Sequence, residues 1–518
     1  MIPVIDLFAG PGGLGEGFAA LLDRKRRRAF RIALSIEMNG SARSTLRLRS
    51  FFRQFERTEV PNEYYEVLKG TLGVAELYQK FPKQADASDR EAWQAELGKT
   101  DSDEVDRRIR VALNGAKNWV LIGGPPCQAY SLVGRSRVIN VDREKYEKDH
   151  RHFLYQEYLR ILATHRPPIF VMENVKGILS SKVKGSLIVE KILADLERPI
   201  PNTPAGGKGN FGYKLYPFVD YGGALPFDGL DSSPSDFVIQ SELHGIPQAR
   251  HRFIVLGVRN DLSWIPGKLN LTSSVTVREA IGDLPRLRSR ISNKGTKDLL
   301  PDDHPAWCAS VREILDQNLD SQAGFGPELE GKVVAALARL NTTSTGAAFV
   351  PTTRQPIWQR RWLKDSKLQG VCNHESRRHR KDDLWRYLFA SCFAQIHGKS
   401  PTLRDFPLSL LPEHRNVQNV EGDEEDIVFA DRFRVQVKNR YSTTVTSHIA
   451  KDGHYFIHYD PNQCRSLTVR EAARLQTFPD NYLFLGGKTD QYHQVGNAVP
   501  PLLAYKLAKI VAEYFTTT

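Results

Sequence analysis

The chain has 518 residues, 41% of them hydrophobic and 25% charged, a composition typical of a globular protein with two or three domains. Apolar runs such as residues 119–122 and 169–172 are far too short to cross a bilayer, so we expect no membrane partner. The formal net charge of +12 favours an anionic partner such as nucleic acid.

The first ten residues, MIPVIDLFAG, lack the basic region and the cleavage site of a secretory signal peptide. We therefore expect a cytoplasmic protein in a reducing compartment. The five cysteines are accordingly interpreted as thiols rather than as a disulfide framework.

A β-α-β pattern opens the chain. Residues 3–7 form a short apolar run that enters a glycine loop, residues 17–22 continue as a helix, and residues 31–36 form a second strand that ends at Glu37. Between them, the basic run of residues 24–28 could be a localisation signal or a phosphate patch, but we favour a solvated helix end.

The next elements are harder to assign. Residues 51–115 are polar and mostly helical in pattern, and no strand can be placed there. Residues 118–122 and 168–172 have the length and apolarity of central strands in a parallel sheet. Each of the two runs leads into a loop of unusual composition, so both loops are predicted at the same edge of the sheet.

Beyond residue 260 the pattern changes to that of a second domain, with weak periodicity and an acidic, solvated loop at residues 421–426. Helical patterns return at residues 468–477 and 502–514. The phrase Thr-Val-Arg-Glu-Ala occurs at residues 276–280 and again at 468–472, which chance or a shared helix-start pattern explains.

The glycine loop contains a G-x-G-x-x-G spacing in Gly10, Gly12 and Gly15. A backbone without side chains at a strand-to-helix turn can approach a pyrophosphate, and Glu37 has the spacing of an acid that binds ribose hydroxyls. A nucleoside without phosphate, such as S-adenosylmethionine, needs the same approach and the same acceptor. The loop alone leaves both ligands open.

The stretch Ile-Gly-Gly-Pro-Pro-Cys-Gln-Ala-Tyr-Ser at residues 122–131 carries Cys127. It follows a predicted central strand, where open α/β sheets form their ligand crevice, and two prolines restrict the chain before the thiol. We interpret Cys127 as a catalytic nucleophile rather than a structural cysteine. The next strand ends in Met-Glu-Asn-Val, which brings Glu173 to the same edge.

These stretches together resemble the motifs of the DNA (cytosine-5) methyltransferase family. The resemblance covers nearly the whole chain in the family's order: residues 6–13 for the cofactor loop, 125–128 for the nucleophile, 173–175 for the acid, 248–252 for a Q-x-R-x-R segment, 465–479 for the support of the recognition domain and 494–500 for the closing cofactor motif. It implies a Rossmann-like class I S-adenosylmethionine-dependent methyltransferase domain with a mostly parallel sheet, plus a smaller, irregular target-recognition domain.

The resemblance also implies a chemistry for four residues. Cys127 would add to cytosine C6 and make C5 nucleophilic, and its thiol needs nearby positive charge to ionise, for which Arg252 is a candidate. Glu173 would bind N3 and the exocyclic amine, while Arg252 faces O2 with Arg250 in support. The alternative is that both arginines only bind phosphates.

For the cofactor, S-adenosylmethionine, the resemblance implies a set of contacts spread along the chain: Asp6, Phe8, Gly10, Gly12, Glu37, Met38, Pro126, Leu154, Asn497, Ala498 and Val499. The acid that the family places after its third strand, against the adenine amine, has no clear counterpart within residues 51–115. We predict no metal, because Cys372, His374 and His379 do not have the spacing of a zinc finger.

The implied domains are 1–260 for catalysis and cofactor binding, 261–487 for target recognition, and 488–518 as a segment returning to the catalytic domain. The substrate would be double-stranded DNA with its cytosine flipped out of the helix. Basic residues of the middle interval could contact phosphates or guanine edges: Arg360, Arg361, Arg377, Arg378 and Arg380. We expect a monomer on DNA, associated with the nucleoid, and a possible cognate restriction endonuclease.

Three alternatives come from other classes. An RNA-directed methyltransferase of the same fold would use Cys127 and Glu173, although a smaller recognition region is expected of it. A nicotinamide oxidoreductase explains Gly10, Gly12, Gly15 and Glu37 only. A non-catalytic DNA-binding module leaves the nucleophile and the acid without a purpose.

Overall fold

The computed structural model describes residues 1–56, 58–126, 151–183, 186–199, 211–221, 233–294, 299–317, 326–412, 430–451 and 453–517, with backbone only at 151–153, 182–183, 186 and 517. The chain forms two compact units. The first comprises Met1–Val60, Val74–Ser273 and Ala498–Thr518, and the second comprises Pro61–Gly73 and Ser274–Asn497.

An eight-stranded sheet forms the centre of the first unit. Its strands are β1 (Ile2–Leu7), β2 (Phe30–Glu37), β3 (Ala92–Gln94), β4 (Val120–Gly123), β5 (Ile169–Val175), β8 (Tyr213–Pro217), β9 (Val238–Gln240) and β10 (His251–Arg259). The order is β3-β2-β1-β4-β5-β10-β8, with β9 paired to β10. Strands β1 to β5 are parallel, and β10 is antiparallel to its three neighbours. A mostly parallel sheet is thus confirmed.

Helices cover this sheet. The first unit contains helices Gly13–Ala20, Gly40–Arg53, Val74–Lys80, Pro82–Glu91, Ser102–Leu113, Arg151–His165, Ile188–Glu197 and Pro501–Thr517, and a small hairpin of β6 (Lys182–Val183) with β7 (Ser186–Leu187). Ile5, Leu121 and Phe170 from the strands share one apolar core with Ile109 and Ile161 from the helices. All four residues of β4 are buried, as expected of a parallel strand covered on both faces.

The predicted central strands at 118–122 and 168–172 correspond to β4 and β5, which lie in the middle of the sheet. Residues 51–115, in contrast, do contain a strand. β3 has only three residues and pairs with β2 at the sheet edge. A run so short shows no alternation, so the sequence pattern could not reveal it.

The basic run at 24–28 is not a helix end. The first helix is Gly13–Ala20, earlier than predicted, because Leu21 has extended backbone angles and its carbonyl accepts the N–H of Ala29. Leu22 and Arg28 form a β-bridge around a tight turn. The Asp23 carboxylate accepts the backbone N–H groups of Lys25 and Arg27 inside that turn, at 2.8 and 2.9 Å.

The second unit is built around helices. They are Asn62–Lys69, Val277–Ile281, His304–Arg312, Pro327–Leu337, Arg360–Leu363, Lys381–His397, Val469–Leu475 and Lys488–Asn497. Strands β11 (Arg290–Ile291) and β14 (Arg378–His379) pair in parallel, and β12 (Gly346–Pro351) and β13 (Gly370–Glu375) pair antiparallel. Helix Lys381–His397 gave no clear sequence signal because most of it, Leu384 and residues 386–394, is buried, so no amphipathic stripe is visible.

The repeated phrase Thr-Val-Arg-Glu-Ala begins two helices of the second unit. Thr276 caps helix Val277–Ile281 and Thr468 caps helix Val469–Leu475. In both, the threonine hydroxyl accepts the N–H of the glutamate three residues later, whose carboxylate accepts the threonine N–H. The shared helix-start explanation is confirmed.

The functional intervals 1–260, 261–487 and 488–518 stay a prediction. Within the described part of the chain, no helix combines the length and the apolarity that crossing a membrane requires.

Candidate active site

An acid and a guanidinium meet where β5 and β10 pair. Antiparallel register sets Glu173 opposite Ile254 and Val175 opposite Arg252. The Glu173 Oε1 lies 2.9 Å from the Arg252 Nε, and the two side chains are only 14% and 12% exposed. The predicted catalytic acid and its predicted basic neighbour therefore form a largely buried ion pair.

Arg250 lies deeper in the same region. It is 1% exposed, and burial lowers its pKa well below the usual value, helped by the charge of Arg252 and opposed by that of Glu173. Burial also lowers the pKa of Arg252, while Glu173 acts in the opposite direction. The structure thus brings together Glu173, Arg250 and Arg252, as the sequence predicted.

The end of β4 is held against this acid. The Asn174 amide Nδ2 donates to the Pro125 carbonyl at 3.1 Å. A Cβ on Gly124 would lie 2.8 Å from the Glu173 Oε2, so a side chain there would have to displace the Glu173 carboxylate. Pro126 follows and is half-buried. Cys127 lies outside the described residues, but the chain that leads to it is attached to the strand that carries Glu173.

The glycine loop lies at the carboxyl end of β1. Gly12 caps the first helix with a φ of 92°, and a side chain on Gly13 would collide with the carbonyl of Val499. A Cβ on Gly10 would meet no atom within 4 Å. The loop is therefore tightly packed on one side and open at Gly10, which leaves room for a ligand.

Glu37 ends β2 beside this open position. Its Oε2 accepts the Gly10 N–H at 2.8 Å and its Oε1 accepts the Asn39 N–H at 2.7 Å. Burial raises the pKa of Glu37, which these hydrogen bonds partly offset. A carboxylate adjoining a glycine loop suits a ligand that carries hydroxyl groups.

The sequence matches the family described as C-5 cytosine-specific DNA methylase over residues 85–199 and 233–513. The chain belongs to this family. It is 31% identical to the type II methyltransferase M.Bpa9945I of Bacillus paralicheniformis over 98% of either chain. It is 26% identical to the DNA (cytosine-5-)-methyltransferase M.ApeKI of Aeropyrum pernix, over 77% of this chain and 82% of the relative.

A solved structure shares the fold. The crystal structure titled as a putative DNA modification methyltransferase encoded within an E. coli prophage aligns over the full length of both chains, with a TM-score of 0.50 and 19% identity. The protein is accordingly a DNA (cytosine-5-)-methyltransferase with the α/β fold predicted from its sequence, and its family consists of S-adenosylmethionine-dependent enzymes.

The remaining predicted cofactor residues of the methyltransferase occupy varied positions. Phe8 has a φ of 56° and Met38 is 56% exposed. The Leu154 Cδ2 lies 3.4 Å from the position of a Cβ on Gly98. Ala498 is buried like Val499. These residues all belong to the first unit, whereas Asn497 is the last residue of the second unit.

Asp6 has an unusual environment. It is 1% exposed, and the Oδ2 would lie 2.9 Å from a Cβ on Gly15. Burial raises the pKa of Asp6 to about 8, although the charge of Arg53 and the Gly15 N–H act to lower it. Asp6 is therefore a buried carboxyl group that lies under the glycine loop.

Two features of this region were missed from the sequence. Asn174 anchors the Pro125 carbonyl, a role for which its place beside Glu173 in the acid motif was a usable signal. β3 brings Gln94 to Met38, where the Gln94 Nε2 donates to the Met38 carbonyl at 3.3 Å. Glu96 is the first acid after β3, and it lies 2.8 Å from the Lys99 Nζ.

The residues considered for zinc are engaged elsewhere in the second unit. The Cys372 thiol is 3.7 Å from the Leu68 carbonyl. His374 lies between the Thr468 hydroxyl and the Pro285 carbonyl, at 3.0 and 2.8 Å. Among the residues that the structure describes, no group of three or more His, Cys, Asp or Glu could hold a metal ion.

Proposed function

We propose that this methyltransferase modifies C5 of a flipped cytosine in a specific duplex DNA sequence, through a covalent bond between Cys127 and C6. The observation that carries the proposal is the buried ion pair of Glu173 and Arg252 beside the anchored end of β4. An acid, a guanidinium and a tethered nucleophile loop are what addition to a pyrimidine ring requires.

The residues divide the chemistry as follows. The Cys127 thiolate adds to C6, which moves negative charge toward N3 and O2 of the ring. Glu173 hydrogen-bonds N3 and the exocyclic amine, and Arg252 stabilises the charge at O2. After C5 is methylated, its proton is lost to a base, the C6–S bond breaks and the thiolate is released.

The burial of the two arginines argues against a role limited to phosphate binding. DNA phosphates lie at the surface of a duplex, whereas Arg250 is 1% exposed and Arg252 is paired with Glu173. Arg252 therefore acts on the extruded base, and Arg250 supports it by adding positive charge. The same charge favours the thiolate form of Cys127.

S-adenosylmethionine supplies the methyl group. The glycine loop fits it, since a Cβ at Gly10 would point into open space. We assign its ribose to Glu37, and its adenine and methionine parts to the neighbourhood of Asp6, Phe8, Gly12, Met38, Pro126, Leu154 and residues 497–499. β3 adds one assignment: Glu96, the first acid after this strand, is our candidate for the adenine amine.

The biological setting follows from the relatives. One of them, M.Bpa9945I of Bacillus paralicheniformis, is named a type II methyltransferase. We propose that this enzyme belongs to a restriction-modification system with a cognate endonuclease. It would act in the cytoplasm as a monomer on nucleoid DNA, with target recognition in residues 261–487.

The test is transfer of a tritiated methyl group to duplex DNA, with transfer RNA as the competing substrate. Wild type is expected to label DNA, and bisulfite sequencing of DNA from an expressing host to reveal one recurring site. Cys127→Ala should abolish transfer while S-adenosylmethionine still binds. Retained transfer would overturn the covalent mechanism, and labelling of transfer RNA alone would change the substrate.

A further inference from the structure

One stretch of the second unit lacks carboxylates. Residues 331–364 contain no Asp or Glu, although the whole chain carries 60 in 518 residues. This acid-free segment contains six basic residues, namely Lys332, Arg339, Arg354, Arg360, Arg361 and Lys364. An acid-free stretch with six basic residues attracts a polyanion without competition from its own side chains.

The acid-free segment forms most of the described wall of a groove of about 690 Å³, and that wall contains no carboxylate. The wall consists of Pro285, Arg286, residues 341–344 and residues 351–354. It offers hydroxyl groups, an amide and two guanidinium groups, and no carboxylate. Arg286 is paired with Asp460 at 3.1 Å, but the exposed side chain of Arg354 has no ion-pair or hydrogen-bond partner among the described residues. These are the groups that contact DNA phosphates.

The short helix Arg360–Leu363 is attached to the rest of the unit through its two C-terminal residues. The Trp362 Nε1 donates to the Thr477 carbonyl at 2.7 Å. Leu363 is fully buried, and its carbonyl accepts the Asp480 N–H at 2.8 Å. Just before the helix, Gln359 has a φ of 47°, a left-handed conformation that surrounding structure must hold in place.

This anchoring leaves Arg360 and Arg361, at consecutive positions of the chain, both exposed. Neither forms a side-chain ion pair or hydrogen bond with any residue that the structure describes. Other arginines of the unit differ in this respect. Arg377 donates to the Ile449 carbonyl and lies 3.7 Å above the Tyr492 ring, and Arg380 pairs with Asp382 at 3.2 Å.

We propose that the acid-free segment is the DNA-reading element of this enzyme, with Arg360 and Arg361 as its specificity-determining residues and the groove at Arg354 as a phosphate site. Two arginines on a rigid support can form bidentate hydrogen bonds to guanine edges, which require fixed geometry. The inference rests on the proposed function only for the identity of the DNA that is bound.

The test uses the full-length enzyme in two arms. In the first, each variant is mixed with a randomised duplex library, and the bound sequences are counted. In the second, binding to one duplex is followed against salt concentration. The variants are Arg354→Ala, Arg360→Ala and Arg361→Ala, with Arg312→Ala as the control, since Arg312 is equally exposed in the same unit but outside the segment.

Arg360→Ala and Arg361→Ala should each relax one position of the bound sequence, lowering its discrimination about 5- to 150-fold. Arg354→Ala should weaken binding to all sequences and reduce the salt slope by about 1. Arg312→Ala should do neither. Arg360→Lys and Arg361→Lys, which keep the charge but not the planar fork, should also lose discrimination, and thermal unfolding verifies that every variant folds.

Unchanged sequence preference in the Arg360 and Arg361 variants would overturn the inference, as would an equal loss in Arg312→Ala. Both arms measure binding and need no methyl transfer. If the enzyme binds its sequence through Arg360 and Arg361 but transfers no methyl group to DNA, the proposed reaction fails and this inference stands.

Discussion

Two charged regions of this protein are built in opposite ways. Near the carboxyl end of β5, the side chains of Glu173 and Arg252 are nearly buried, with the Glu173 Oε1 2.9 Å from the Arg252 Nε. In the acid-free segment, Arg354, Arg360 and Arg361 are exposed and have no charged partner among the described residues. In the proposed function, the first arrangement provides strong, oriented electrostatics for a reacting base, and the second leaves charge available to a ligand that brings its own.

The second unit also contains the buried arrangement. Arg465 and Glu471 are 0% and 1% exposed, with the Arg465 Nη1 2.6 Å from the Glu471 Oε2. Burial alone would raise the pKa of Glu471, but Arg465 holds it well below its usual value. Burial of a pair therefore does not by itself identify a catalytic site. What distinguishes Glu173 is its position near the carboxyl end of a parallel strand, next to Asn174, which binds the Pro125 carbonyl of the segment that leads to the predicted nucleophile.

The largest effect is expected for Glu173→Gln, which removes the charge of the carboxylate but keeps the shape of the side chain. We expect the rate of methyl transfer to fall about 100- to 10,000-fold, because the acid handles a proton and the developing charge at N3. Single-turnover kinetics with labelled cofactor would measure it. Glu190→Gln, an exposed glutamate of the same unit, is the matched control and should keep full activity.

Glu471→Gln tests the buried pair that has no catalytic assignment. The change leaves the Arg465 guanidinium buried without its counter-charge, so the free energy of unfolding should fall by about 3 to 5 kcal/mol. Urea unfolding of the folded variant measures this, with the exposed Glu330→Gln as control. A loss below about 1 kcal/mol would mean that Gln463 and the nearby carbonyls satisfy Arg465 on their own.

Glu37→Ala should weaken S-adenosylmethionine binding by about 1.5 to 3 kcal/mol, since two charge-assisted hydrogen bonds to ribose are lost. Titration calorimetry would report the dissociation constant, and Glu190→Gln again serves as control. If the affinity for S-adenosylmethionine is unchanged, Glu37 serves only to accept the Gly10 N–H, and the ribose has another partner.

The smallest expected effect concerns Asp106, a paired carboxylate of the first unit. Burial opposes ionisation, but hydrogen bonds from His165 and Arg160 lower the pKa of Asp106 from 3.8 to about 2. Because the folded pKa lies below the unfolded one, this stabilisation is complete above about pH 4 and disappears toward pH 2. Asp106→Asn should cost about 1 to 2 kcal/mol at pH 7, after allowance for solvent screening.

The check is the difference in unfolding free energy between wild type and Asp106→Asn across that range. The difference should shrink as the pH falls from 4 to 2, and a constant difference would show that packing, not charge, explains the loss. His165 contacts Asp106 at 2.9 Å, so a His165→Gln variant separates its contribution from that of Arg160.

Much of the sheet and of the placement of the candidate site residues was predictable, whereas their catalytic and cofactor roles stay predictions. The strands β1, β2, β4 and β5, the glycine loop and the residues Glu37, Glu173, Arg250 and Arg252 all follow from local patterns or from a resemblance in motif order. The first helix was placed too late in the chain, and the short strand β3 was missed. The helix ends at Ala20 because Leu21 pairs with Ala29, and β3 is defined by its pairing with β2; a local pattern contains neither pairing.

The sequence by itself determined the family, because its motifs lie along the chain in the family's order. It also placed Glu173 and the glycine loop at one edge, because the strand ends of a parallel sheet meet there. Only the tertiary structure decided which charges are used internally and which are left for a ligand. Arg360, Arg361 and Arg377 look alike in the sequence, but only Arg377 is engaged by groups that folding brings near, namely the Ile449 carbonyl and the Tyr492 ring. Arg380 instead pairs with a neighbour along the chain, Asp382 in the first turn of helix Lys381–His397. Pairing depends on distance in space, which spacing along the chain does not specify.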